Sequence, residues 1–153
     1  MIKGRPPRLP VIFQSTEQPL FFVTLCTLHR RPFADIGVVH DTFLSYARRA
    51  EQFGVAVGRY VVMPDHVHLF VCGGLSVVLG DWVKGLKRSI HNALPEPKPA
   101  KLWQPGFFDH ILRSDESYSQ KWEYVRVNPV RGGLVATPDE WPYSGEVVLV
   151  DRV

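Results

Sequence analysis

The stretch Val55–Cys72, VAVGRYVVMPDHVHLFVC, decides the fold. β-Branched and aromatic residues dominate both sides of Pro64-Asp65, a pair suited to a turn and poorly suited to a strand interior. The stretch therefore predicts two strands, Val55 to Met63 and Val67 to Cys72. Upstream, PLFFVTLCT over Pro19 to Thr27 has the same composition and predicts another strand. Between them, Val38 to Phe53 spaces Val39, Phe43, Leu44, Ala47 and Ala50 as one helical face, and Gly54 supplies the C-terminal stop. Downstream, Leu75 to Leu94 reads as a long helix with the stripe Leu79, Trp82, Val83, Leu86 and Ile90. Phe107 to Leu112 is a last core strand, and Asp115 to Asn128 a last helix before Pro129. The order is β-α-β-β-α-β plus one helix. This predicts an α+β chain with a ferredoxin-like antiparallel sheet, helices on one face, and an additional C-terminal helix.

The 153 residues, 45% of them hydrophobic, suit one domain over 1–153. Residues 1–18, rich in Pro and Arg, read as an irregular arm, Pro95–Pro99 as a surface loop and 146–153 as a tail. No apolar run is long enough to span a bilayer, and the N-terminus lacks the apolar stretch of a signal peptide, so a cytoplasmic protein off the membrane is expected. Cys26 and Cys72 lie in apolar runs, which fits buried thiols better than a disulfide. A net charge of +3 and a pI near 9.0 lean towards an anionic partner.

Because residues two apart on a strand share a face, His66 and His68 project side by side. Two neighbouring imidazoles on a rigid strand are half of a metal site. The same pattern also fits two histidines on a solvated sheet face.

In the last helix, a turn of about 100° per residue puts Tyr118, Trp122 and Val125 on one apolar face that docks the helix. Tyr124 and Asn128, four apart, share another face, where packing does not require a tyrosine. Pro129 pushes the residue before it away from helical geometry, which leaves the aim of Asn128 open.

Two basic groups could track phosphates. Lys84, Lys87, Arg88 and His91 fall on the polar side of the long helix. Arg113, Lys121, Arg126 and Arg131 cluster around the tyrosine helix. A solvated basic face explains either group equally well. Trp103, Phe107 and Phe108 could stack bases, with core packing expected for at least two of them. Arg5 and Arg8 in the arm are further candidates for DNA contact. No Walker-type or dinucleotide glycine motif is present.

The blocks YVVMPDHVHLF, WVKGLKRSI, WQPGFFDHILRSDESY, WEYVRVNPVRGGLV and WPYSG together resemble the single-tyrosine HUH transposases. The branch they resemble most is the REP-associated tyrosine transposases, domesticated relatives of insertion-sequence transposases, and the resemblance runs from about Pro19 to Gly145. It implies that His66 and His68 bind a divalent metal, Mg²⁺ or Mn²⁺, and that Tyr124 is the nucleophile. It further implies that Asn128 is the third protein ligand, at a position where many members carry the longer Gln. The implied activity is transesterification of single-stranded or hairpin DNA through a 5′-phosphotyrosyl intermediate, by a monomer or homodimer.

Two other readings fit parts of the pattern. A rolling-circle initiator or relaxase shares the chemistry, but relaxases place the tyrosine before the histidines and initiators usually carry Lys where Asn128 stands. A catalytically silent, structure-specific DNA-binding protein would keep the fold without needing His66, His68, Tyr124 and Asn128 all intact.

Overall fold

The two strands around Pro64-Asp65 form a hairpin at the heart of an antiparallel sheet. The computed structural model describes residues 13–14, 19–73, 76–113 and 117–151. Strands β2 (Leu20–Cys26), β3 (Val55–Met63), β4 (His66–Gly73), β5 (Phe108–Ile111) and β6 (Ser144–Glu146) lie in the order β5-β2-β4-β3-β6. The first four reproduce the expected ferredoxin-like connectivity. β6 is an addition, paired to the free edge of β3 from Arg59↔Glu146 to Val61↔Ser144. A separate two-residue parallel pair joins β1 (Phe13–Gln14) to β7 (Val150–Asp151), within stretches that the sequence suggests are arm and tail. The rest of the arm, including Arg5 and Arg8, lies outside the described residues.

The alternation of side chains sorts the sheet into two faces. On one, Phe21, Val23, Leu25, Val57, Val62, Val67, Leu69 and Val71 are buried under α1 (Ile36–Ala47) and α2 (Ser76–Ala93). Asp35 caps α1, its side chain accepting from the Val38 N–H at 3.2 Å. A 3₁₀ turn, Ala50–Phe53, follows α1 and ends at Gly54 in a left-handed conformation, φ 75°. The α2 stripe Leu79, Trp82, Val83, Leu86 and Ile90 is fully used. Each such side chain contributes about 1.5–3 kcal/mol on burial, so Leu86→Ala alone should cost about 2–5 kcal/mol.

The other face carries Leu20, Ala56, Val61, Met63, Phe70 and Cys72, packed against Tyr118 and Val125 of α3 (Tyr118–Val125). The two helices of the ferredoxin-like unit thus share one face, as expected, and the additional helix covers the other. A bulge interrupts β3 between Val57 and Tyr60. It shifts the alternation by one residue, so that Val57 and Tyr60 both face α1. The Tyr118 hydroxyl accepts the Arg59 N–H in that bulge at 2.9 Å. A Cβ at Gly58 would run into the same hydroxyl, so the bulge requires glycine there.

The expected helix from Asp115 to Asn128, whose Asp115 and Glu116 lie outside the described residues, is two pieces. Ser117 caps α3, accepting the Gln120 N–H at 3.1 Å, and the helix ends at Val125. After a turn, α4 (Asn128–Arg131) starts afresh with Pro129 in its first turn. Proline has no N–H for an interior helical bond but fits a helix start, which accounts for the break.

Candidate active site

His66 and His68 lie on the α3 face of central strand β4, with ring centroids 4.6 Å apart. Each ring has one nitrogen engaged. His66 Nδ1 lies 2.7 Å from Asp65 Oδ1 and His68 Nδ1 lies 2.9 Å from Thr24 Oγ1. The Arg30 guanidinium pairs with Asp65, Nε to Oδ2 at 3.3 Å, and also approaches His66 Nδ1 at 3.1 Å. Nδ1 cannot both donate to Asp65 and accept from Arg30. The shorter, charge-assisted contact to the carboxylate decides for the Nδ1–H tautomer. That assignment leaves His66 Nε2 with its lone pair, and the Thr24 contact allows the same for His68.

Burial favours the neutral form of both rings. Burial pushes the His68 imidazole down to about 3, helped by the charges of His66, Arg30, Arg131 and Lys121. Burial also lowers His66, with Asp65 partly offsetting it. For Asp65, burial works upward, but the hydrogen bonds from His66 and Arg30 outweigh it and hold the carboxyl below its usual range. Neutral imidazoles whose far nitrogen is fixed by an oxygen acceptor are the state in which histidine ligates a metal. Among the described residues no three His, Cys, Asp or Glu side chains gather into a metal-sized cluster.

Tyr124 is 65% exposed on α3, while Tyr118 is 2% and Val125 2% exposed, as the helical periodicity predicts. The Arg131 guanidinium sits over the Tyr124 ring, 4.3 Å from its centroid, and donates to Asn128 Oδ1 at 2.6 Å. Arg131 thus joins the tyrosine and the amide across the break between α3 and α4. An amide oxygen has two lone pairs, so this bond does not exhaust it. The charges of Arg131 and Lys121 act on His68, which ties the helix layer electrically to that ring. Lys121 also places its ammonium 5.1 Å from the centroid of Phe22, which stacks on His68 at 5.2 Å.

The other basic candidates separate. Lys84, Lys87 and Arg88 ride on α2, on the opposite face of the sheet from the imidazoles. The Lys87 ammonium donates to the carbonyls of Gln104 at 3.0 Å and Gly106 at 2.6 Å, and burial lowers its pKa. It tethers the 104–106 segment. His91 Nε2 contacts the Pro99 carbonyl at 2.8 Å. Arg126 pairs with Glu123 at 2.8 Å and Asp139 at 3.7 Å. Arg113 is exposed beyond β5. Trp103 and Phe107 pack against the core, while Phe108 is 59% exposed.

Sequence reasoning missed Thr24, Arg30 and the orienting role of Asp65. A carboxylate directly before His66 was a readable signal, although the residue also satisfies a turn. Thr24 could be found only once the β2–β4 register, Thr24↔His68, was known.

A family model described as IS200-like transposase matches residues 20–128. A Haemophilus influenzae protein assigned to the REP-associated tyrosine transposases is 23% identical over 145 residues, covering 84% of this chain and 80% of the relative. The REP-associated tyrosine transposase of Escherichia coli K12 is 28% identical over 90 residues, 58% of this chain, and the alignment spans about half (52%) of that relative. Among solved structures, a REP-associated tyrosine transposase bound to a REP hairpin superposes with a TM-score of 0.67 at 20% identity, over 94% of this chain and 82% of its own. A Deinococcus radiodurans protein assigned as a transposase gives 0.53 at 21% identity, over 82% and 95%. At these identities the two structures establish a shared fold. No helix among the described residues is long and apolar enough to cross a membrane.

Proposed function

Since the chain belongs to the IS200-like transposase family, we propose that it is a metal-dependent transesterase that cuts and rejoins single-stranded DNA beside hairpins. The observation that carries the proposal is the pair of neutral imidazoles, each with Nδ1 engaged, facing a helix that presents an exposed tyrosine. The hairpin preference follows the REP-bound structural relative.

The donor set fits a divalent ion. His66 Nε2, His68 Nε2 and Asn128 Oδ1 would hold it, and Mn²⁺ or Mg²⁺ suits imidazole and amide oxygen with positions left for phosphate. Bound there, such an ion polarises the scissile phosphate and neutralises its developing charge. The protein's residues do the rest. Asp65 and Thr24 fix the two rings. Lys121 and Arg131 supply positive potential for the strand. Tyr124 Oη attacks phosphorus in line as it gives up its proton. The bond to the 3′ oxygen breaks, that oxygen takes up a proton, and the products are a 5′-phosphotyrosyl protein and a free 3′-OH. Attack by a 3′-OH on the phosphotyrosyl bond reverses the exchange and rejoins strands without ATP.

The test is a labelled DNA hairpin with single-stranded flanks, incubated with protein and Mg²⁺ or Mn²⁺. A covalent species should survive a denaturing gel, vanish with chelator, and be missing in His66→Ala, which should still bind DNA. Equal cutting of perfectly paired duplex, or an adduct that persists in chelator, would overturn the proposal.

A further inference from the structure

The exposed large apolar side chains among the described residues include three aromatics, Phe53, Phe108 and Tyr124. Phe53 precedes β3 at the end where Val55 pairs with Gly73, the far end of the hairpin from His66. Tyr124 is the proposed nucleophile. Phe108 has no such role and no reason of packing to be aromatic.

Its position in the sheet gives it one. Phe108 pairs with Thr24 across β5 and β2, and Thr24 pairs with His68 across β2 and β4. Residues directly opposite in antiparallel strands share a face. The Thr24 Oγ1 to His68 Nδ1 contact of 2.9 Å fixes that face as the one bearing the imidazoles. At ~4.8 Å per strand, Phe108 stands about 10 Å from His68 in a straight row. Phe22, in the adjacent row, lies under the Lys121 ammonium. A phosphate at the histidines therefore has a cation beside it and an open aromatic face a nucleotide or two along the strand.

We infer that Phe108 is a stacking platform for an unpaired nucleobase next to the scissile phosphate of single-stranded DNA. The inference rests on the proposed function for the location of that phosphate. A protein partner fits the surface less well. Ile111, the other exposed apolar residue of β5, pairs with Phe21 and so points to the opposite face, which leaves no continuous apolar patch. Asp109 and His110 follow Phe108 on this edge strand with polar groups that discourage added strands. A single flat ring one row from Phe22, over which the Lys121 ammonium lies, matches the way single strands are held, by stacking along a phosphate-tracking surface.

The experiment measures binding in chelator, where no strand is cut. The probe is a fluorescein-labelled DNA hairpin with oligothymidine flanks, compared with the same hairpin lacking flanks. Phe108→Ala should raise Kd for the flanked probe by roughly 5- to 150-fold, the range for loss of one base–aromatic stack, and leave the unflanked probe unchanged. Phe108→Trp should restore tight binding. Abasic sites placed singly along the flank should identify one position that weakens the parent by a similar factor and adds nothing in Phe108→Ala. If Phe108→Ala folds poorly, Phe108→Leu keeps the apolar bulk without a π face and takes its place in the same cycle. Additive effects at every flank position, equal losses on both probes, or a dimer that Phe108→Ala splits in sedimentation would each overturn the inference. Coupling without any covalent adduct would sink the transesterase reading and leave the platform standing.

Discussion

Replacing Tyr118 with phenylalanine should lower stability and leave strand cleavage intact, the reverse of the same change at Tyr124. The Tyr118 ring packs on Phe70, centroids 4.9 Å apart, and under the Arg59 guanidinium at 5.0 Å; both contacts survive in phenylalanine. What is lost is the acceptor for the Arg59 N–H in the β3 bulge, now 2.9 Å from the hydroxyl. An unsatisfied buried donor costs about 1–3 kcal/mol, and Arg59 is half-buried, which favours the lower part of that range. For a chain of this length each kcal/mol moves Tm by about 2–4 °C, so a fall of about 2–8 °C is expected. Tyr124→Phe, on an exposed side chain whose ring still accepts the Arg131 cation, should shift stability by less than about 0.5 kcal/mol. Thermal unfolding by circular dichroism, run beside the gel assay for covalent adduct, separates the two. An unchanged Tm in Tyr118→Phe would mean that the hydroxyl does not hold the bulge. Loss of adduct in Tyr118→Phe would mean that the two tyrosines have been assigned the wrong tasks.

Asp65→Asn should weaken Mn²⁺ binding by about 10- to 100-fold, read by calorimetric titration, because the partner that fixes the His66 tautomer loses its charge. Unchanged affinity would remove Asp65 from the site. His68 should make the fold acid-sensitive in chelator. The unfolded imidazole takes a proton near 6.5 and the folded one not until about 3. Its contribution is therefore fully present above about 6.5 and is lost as pH falls towards 3, by a few kcal/mol at most. Urea midpoints measured across that window should flatten in His68→Gln, and parallel slopes in the two proteins would contradict the assignment. Lys121→Ala should reduce the salt dependence of DNA binding by about one ion. Lys87→Met should destabilise the fold by about 1–3 kcal/mol through its two carbonyl partners and leave that dependence unchanged. A salt slope that falls in Lys87→Met and holds in Lys121→Ala would reverse the account of the basic surface.

Strong local patterns were legible in the sequence. Val55–Met63 matches residue for residue, because a turn pair and Gly54 bracket a run of β-branched residues. The side-by-side histidines and the outward Tyr124 also follow from periodicity alone. What escaped depends on partners distant in the chain. β6 is Ser-Gly-Glu, three residues without an apolar side chain that form a strand against the free edge of β3. The bulge at Gly58, which shifts the alternation of β3 by one residue, was signalled by a glycine within a strand. Its consequence, room for the Tyr118 hydroxyl, required α3 to be in place. Lys87 lies on the polar side of α2 by any helical count, yet its length carries the ammonium to carbonyls of a loop whose path the sequence does not dictate. The break before Asn128 was implied by Pro129, but the Arg131 bridge from Asn128 to Tyr124 arises from the new helical turn that the break creates.

The central claim, that Tyr124 carries the covalent link to DNA, is tested most directly by mapping the trapped adduct. A flanked hairpin reacted in Mn²⁺, digested with nuclease and trypsin, should leave its nucleotide on one peptide. Cleavage after Lys121 and Arg126 releases WEYVR, in which Tyr124 is the sole tyrosine, and separates it from Tyr118. Mass spectrometry should find the phosphonucleotide on that peptide in the parent protein and nowhere in Tyr124→Phe. A modified peptide ending at Lys121, or an adduct that survives in Tyr124→Phe, would contradict the account.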